Sequence, residues 1–121
     1  MDPRSTTRME AACSLLAESE RRYLLYLLAE GRGSSLEDLV TQVAAWELEQ
    51  PAATVDSEGR QRIYAGLVHN HLPRLADYGI IEYDLRSDEI VLADGFDDIK
   101  PLLEQFRQTE EVPEIRQRPA L

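Results

Sequence analysis

"HNHLPRLADYGIIEYD", residues His69 to Asp84, is the stretch on which the reading of this chain turns. Its first half has helical spacing, Gly79 is a stop, and "IIEYDL" begins a strand. After the turn "RSD", the run "EIVLA" supplies a second strand, so residues of about 80–93 are expected to form a hairpin. Pro73 falls inside the helical part. It removes the hydrogen bond to the carbonyl of His69 and should kink the helix, the alternative being a break with a restart near Leu72.

Upstream, Ser57 is the expected cap of this fourth helix, which covers about 58–78. Ser35 caps a third helix, with Asp38 at the third position and Leu36, Leu39, Val40, Val43 and Ala44 at helical spacing. That helix ends near Glu49 because Pro51 forbids continuation, and "QPAATVD" is a loop. Ser19 caps a second helix, "ERRYLLYLLAE", stopped by Gly31 and followed by the turn "GRGS". Apolar over most of its circumference, it should be the central core helix. A first helix begins at Thr7, with Glu10 completing a capping box, and carries Met9, Ala12, Cys13, Leu15 and Leu16.

Downstream, "DGFDD" opens a last helix of about 98–108. The expected organisation is a flexible N-terminus (1–6), one domain (7–108) and a mobile tail (109–121) with two prolines and little to bury. The fold class is mainly α with a β-hairpin (α+β). Three helices followed directly by a two-stranded hairpin is the winged helix-turn-helix arrangement, although a plain α+β domain with no DNA role gives the same order.

Composition sets the limits. With 121 residues, 43% of them hydrophobic, the chain can bury one core. Net charge is −10, from 23 acidic and 13 basic residues, and Lys100 is the single lysine beside twelve arginines. Such a balance suits a cytoplasm at molar salt, where screening shortens self-repulsion, or else an ordinary acidic protein from a GC-rich genome. The longest apolar run, Tyr23 to Ala29, cannot span a bilayer, and the first residues lack the apolar core of a secretory signal. No membrane association and a cytoplasmic location are expected. Cys13 cannot form an intramolecular disulfide and reads as a small buried residue.

One departure from the overall charge stands out. Between Glu58 and Asp77, "GRQRIYAGLVHNHLPRLA" runs for eighteen residues without a carboxylate, although acids fill about a fifth of the chain. Burial alone explains part of such a gap, but the segment also holds Arg60, Arg62 and Arg74. A carboxylate facing phosphates costs affinity while arginine gains it, so an acidic protein has reason to spare the surface that meets a polyanion. At about 100° per residue, Ile63, Tyr64, Leu67, Val68, His71, Leu72 and Leu75 face the core. Arg62, Ala65, Gly66, His69, Asn70 and Pro73 face outward, with Arg60 and Arg74 on the flanks. Small Ala65 and Gly66 would let the helix enter the major groove of double-stranded DNA, Arg62 would read guanine, and Asn70 adenine. Arg60 and Arg74 would reach phosphates. In the hairpin turn Arg86 is the one candidate contact, and with Asp84, Asp88 and Glu89 around it the hairpin should stabilise the fold more than bind phosphate.

At "HLPRLADYGIIEYD" the chain resembles the winged-helix transcription regulators of prokaryotes. His71, Leu72, Leu75, Gly79, Ile80 and Ile81 match the end of the recognition helix in ArsR-like and MarR-like members. It is more closely similar to a group of small winged-helix domains of halophilic archaea, through "ERRYLLYLL", "LEDLVTQVAAWE" and the opening stretch, over residues of about 11–93. The resemblance implies a winged helix and, by analogy, a DNA-binding transcriptional regulator.

No cofactor or enzyme motif emerges: there is no phosphate-binding glycine loop and no nucleophile signature. His69 and His71, two apart on a helix, point away from each other, so no metal site is expected. Asp94, Asp97 and Asp98 lack EF-hand spacing. The rival function is a protein–protein interaction module without direct DNA binding, in which Trp46, Tyr78, Phe96 and Phe106 build the partner surface. The last helix presents Ile99, Leu102, Leu103 and Phe106, either to its own domain or, with the first helix, to a homodimer interface that would set two recognition helices on successive major grooves.

Overall fold

The computed structural model describes residues 3–31 and 35–110, with side chains from Thr7 onward. The elements run α1 (Pro3–Leu16), α2 (Ser19–Ala29), α3 (Leu36–Leu48), a short 3-10 turn (Ala52–Thr54), α4 (Ser57–Gly66), a π-helical turn (Leu67–His71), α5 (Leu72–Asp77), β1 (Ile81–Asp84), β2 (Glu89–Leu92) and α6 (Phe96–Thr109). The class is mainly α with one antiparallel hairpin, in the register Ile81 to Leu92 and Tyr83 to Ile90. Among the described residues no helix is long and apolar enough to cross a membrane.

The core centres on α2, whose Leu24, Leu25, Tyr26 and Leu27 are buried together. Leu39, Val43 and Ala44 of α3, Ile63 of α4, Leu67 of the π turn and Leu72 and Leu75 beyond it close over them. The hairpin adds Ile81 and Ile90 from its inner face, since alternate residues of a strand share a side. Its outer face carries Glu82, Asp84 and Glu89 beside exposed Val91.

Several local expectations hold. The Ser35 hydroxyl accepts from the Asp38 N–H at 3.2 Å, capping α3, and Glu49 in the left-handed region ends that helix two residues before Pro51. After α5, Gly79 has φ +72. Its N–H bonds the Ala76 carbonyl at 2.9 Å while the Ile80 N–H bonds that of Leu75 at 3.0 Å. This is a Schellman stop, and the paired burial of Leu75 and Ile80 completes it. Gly95 is required for a different reason: a Cβ there would lie 2.6 Å from the Gly79 oxygen, which its own N–H bonds at 2.9 Å.

Others are corrected. α1 starts at Pro3 rather than Thr7, so residues 3–6 are helical. Pro is favoured in a first turn because its missing N–H would be unpaired anyway. Met9 is 67% exposed and Cys13 is exposed, because α1 packs through Leu15 and Leu16 at its end. Ser19 is the first residue of α2, preceded by Glu18, and its hydroxyl donates to Glu47 at 2.6 Å instead of capping. The cap of α4 is Asp56, whose carboxylate accepts from the Gly59 N–H at 2.7 Å, one residue before Ser57. α6 begins at Phe96, two residues earlier than expected, and runs to Thr109. Glu110, assigned to a tail, is bonded to α2; residues 111–121 and most of the "GRGS" turn lie outside the described residues.

The kink expected at Pro73 takes the form of a change of helical register. Leu72 donates to the Leu67 carbonyl, an i to i+5 bond, and α5 resumes with Pro73 in its first turn, where a missing N–H costs little. α4, the π turn and α5 thus form one unbroken run, and the alternative of a break with a restart near Leu72 does not occur.

Candidate nucleic-acid interface

Two consecutive arginines of α2 fasten the end of α1, and the first of them also holds the run that carries the candidate residues. Arg21 is buried; its Nε donates to the Leu15 carbonyl at 2.6 Å and its Nη2 to that of Ser14 at 3.1 Å. Arg22 adds the Leu16 carbonyl at 2.7 Å, so the pair satisfies the orphan end of α1. Burial lowers the Arg21 pKa from its ordinary value, with Glu18 opposing, but a guanidinium stays charged in proteins. The third arm of Arg21, Nη1, lies 3.3 Å from Nδ1 of buried His71 in the π turn. An arginine only donates, so Nδ1 accepts and the ring hydrogen sits on Nε2, 3.3 Å from Glu20. "ER" of α2 and the second His of "HNH" are therefore one buried contact between the core helix and the π turn.

That clasp fixes the rotation of the run. Arg62, Ala65, His69 and Asn70 are exposed, as expected of the outward face, and Arg74, expected on a flank, is exposed as well. Among the described residues, none of the three cations of the segment, Arg60, Arg62 and Arg74, forms an ion pair. Asn70 and Arg74, one turn apart, are joined: Arg74 Nε donates to Asn70 Oδ1 at 2.7 Å. His69 is exposed and His71 buried, so the two histidines diverge; among the described residues no group of three His, Cys, Asp or Glu side chains could hold a metal.

Gly66, Tyr64 and Pro73 differ from expectation, Pro73 being half-buried rather than outward-facing. Gly66 is half-buried, and a Cβ there would lie 3.2 Å from Glu20 Oε1 and 3.7 Å from His71 Nε2, so it makes room for the clasp instead of facing out. Tyr64, assigned to the core, is 48% exposed. It borders a groove of about 510 Å³ between α3, α4 and the hairpin turn, with half-buried Arg60 and exposed Gln61 and Leu85 among the lining residues. Its spacing of four from Arg60 is the one sign the sequence offered.

The hairpin turn is committed to the fold. Asp88, at φ +59, accepts the Leu36 N–H at 2.8 Å and so caps α3 from the turn, while Asp84 accepts the Arg86 N–H at 2.8 Å. Arg86 is exposed at this tip among Asp84, Asp88 and Glu89.

The aromatic surface imagined for a partner does not assemble. Trp46 is 2% exposed, edge-on to Tyr23, and Phe96 is buried; Tyr78 alone of the four is exposed. Phe106 is half-buried under the Arg22 guanidinium. Ile99 and Leu103 are buried within the chain, so the apolar face of α6 packs on its own domain.

Comparison with curated proteins and with solved structures finds no match. A family model does match, over residues 13–91, from the exposed cysteine of α1 to the second strand of the hairpin and across the whole Arg21–His71 contact. The chain belongs to the DUF7344 family, a domain of unknown function.

Proposed function

We propose that this protein is a cytoplasmic, non-enzymatic, DNA-binding transcriptional regulator built as a winged helix-turn-helix, with residues of about 58–78 as its recognition helix. One observation carries the reading: in the eighteen residues spared of carboxylates, Arg62, His69, Asn70 and Arg74 are all exposed to solvent. The groups hidden by the same run are those that clasp it to α2. Exposed arginines free of ion pairs among the described residues, on a chain of net charge −10, suit a polyanion. Arg62, Ala65, His69, Asn70 and Arg74 form the contact surface, and Arg60 reaches phosphate from the flank. Arg86 is a peripheral contact, because the acidic outer face of the hairpin repels the duplex. A homodimer would have to use Met9, Cys13 and the outer side of α6, since Ile99 and Leu103 are already covered.

The groove beside exposed Tyr64 and Leu85 favours a second reading, an interaction module that binds protein instead of DNA. A mobility shift on genomic fragments in about 1 M KCl separates the two, comparing wild type with Arg62→Glu plus Arg74→Glu. The regulator reading expects a shift by wild type and at least about a tenfold loss in the variant. Equal shifts, or none by wild type, favour the interaction module.

A further inference from the structure

We infer that the π turn is one residue, Asn70, inserted into an otherwise regular recognition helix, and that this residue is the turn's base-reading contact with duplex DNA; the inference rests on the DNA-binding reading above. Two series of residues lose register at the same place. The most deeply buried residues of the run, Ile63, Leu67, Leu72 and Leu75, follow one another at steps of four, five and three. The exposed Arg62, Ala65, His69 and Arg74 step by three, four and five. Threes and fours keep a helix on one face, and a five is one residue too many. Both fives span positions 70 and 71, inside the turn that Leu72 closes by donating to the Leu67 carbonyl. Of those two residues His71 is buried against Arg21, whereas Asn70 is exposed.

Packing has no use for the extra residue. Without Asn70 the buried series would step by four, four and three and the exposed one by three, four and four, so the same faces would persist in a regular helix. Ordering one more residue costs conformational entropy, and an exposed side chain returns no burial for it. Pro73 fits the same arrangement: inside a regular helix its ring would crowd the carbonyl four residues back, and the wide turn sets it at the start of α5 instead. At about 100° per residue Arg74 would stand about 120° round from Arg62, and the extra residue takes back about 100° of it. What the insertion adds on the outside is an amide. Its bond from Arg74 leaves it two donors and an acceptor position. Carrying no charge, it adds little to phosphate attraction; paired with a base edge, it adds specificity.

The test compares two full-length variants: Pro73→Ala, which keeps the extra residue, and Pro73→Ala with Asn70 deleted, which restores regular spacing without leaving a proline inside a helix. Fluorescence anisotropy at one fixed salt concentration measures binding to a duplex that wild type enriches from a random-sequence pool. An unrelated duplex of equal length is the second probe. The deletion should lower affinity for the enriched duplex at least about tenfold and leave the unrelated duplex unchanged, because a base contact is gone while the arginines remain. Its Tm should equal or exceed that of Pro73→Ala. Asn70→Ala, an exposed change that keeps the turn, should show the same loss of discrimination. Undiminished discrimination in either Asn70 variant, an equal loss on both duplexes, or a lower Tm in the deletion would overturn the inference and leave the DNA reading standing. Failure of wild type to enrich or bind any duplex would overturn the DNA reading with it.

Discussion

Arg21 does three things at once, and each depends on the fork of its guanidinium. It closes two carbonyls at the end of α1 and holds His71 through Nδ1, all within a buried site. Lysine, a point donor on a flexible stem, cannot reach three acceptors in different directions. Arg21→Leu would leave the Leu15 carbonyl and an imidazole nitrogen without the bonds Arg21 makes to them and the Ser14 carbonyl with the Ala17 N–H alone, a loss of about 3 kcal/mol by the usual cost of orphaned buried polar groups. Arg21→Lys should recover only a minor part of it. Urea unfolding of the three proteins checks this, and a Lys variant as stable as wild type would show that the fork is dispensable. None of this was legible in "ERR", because an arginine in a helix sequence gives no sign of its depth. Gly79 and Ser35 were legible, since a stop and a cap act within a few residues of themselves. Ser57 misled because Asp56 competes for the same N–H and its carboxylate is the stronger acceptor.

At the scale of elements, α6 shows how polar groups fasten the end of a helix whose apolar face already packs on the core. Glu110, just past its end, accepts from Arg22 Nε at 2.8 Å, from Arg22 Nη2 at 2.9 Å and from the Tyr26 hydroxyl at 2.5 Å. Arg107 pairs with Glu30 and lies over the Tyr26 ring. Partial burial pushes the Glu110 carboxyl up, but the bonds from Arg22 and Tyr26 outweigh it and hold the group below its ordinary value. Burial, and then the Glu110 contact, raise the Tyr26 phenol, which stays protonated and able to donate. A depressed carboxyl stabilises the fold fully above its unfolded pKa, and that contribution is lost as pH falls through the folded one. Glu110→Gln should therefore cost about 1 kcal/mol at neutral pH. The difference from wild type should shrink as pH drops below about 4.3, the ordinary glutamate value. Unfolding curves at a series of pH values decide it, and a constant difference would mean that the charge contributes nothing. The sequence placed the start of α6 late because the Gly95–Gly79 backbone contact that sets it joins residues sixteen apart. The helical wheel of the fourth helix placed Ile63, Leu67 and Leu75 well but Tyr64 badly, since a wheel has no knowledge of where α3 ends and a groove begins.

The whole molecule carries its charge unevenly, and salt should act on the two parts with opposite sign. A net charge of −10 on 121 residues opposes compaction through repulsion that reaches across the domain. Raising KCl from about 0.1 M to 1 M shortens the screening length from about 10 Å to 3 Å, which removes most of that repulsion. The attractive pairs are short and sheltered by comparison: Arg22–Glu110 at 2.8 Å, with side chains 13% and 20% exposed, loses less to the same ions. Stability should therefore rise with KCl, by about 1 kcal/mol or more, seen as a Tm higher by about 4–8 °C. DNA affinity should fall over the same range, with a slope set by the phosphates that Arg60, Arg62 and Arg74 neutralise. Three such contacts give a slope near −3 in log affinity against log salt, shallow enough to leave binding measurable at concentrations that strip more basic proteins from DNA. A thermal melt and a salt titration on one preparation test both arms. A Tm that stays flat or falls with KCl would show that local pairs, not global repulsion, govern the fold. In that case the excess of carboxylates serves solubility alone, and the segment free of them would owe its composition to packing against α2.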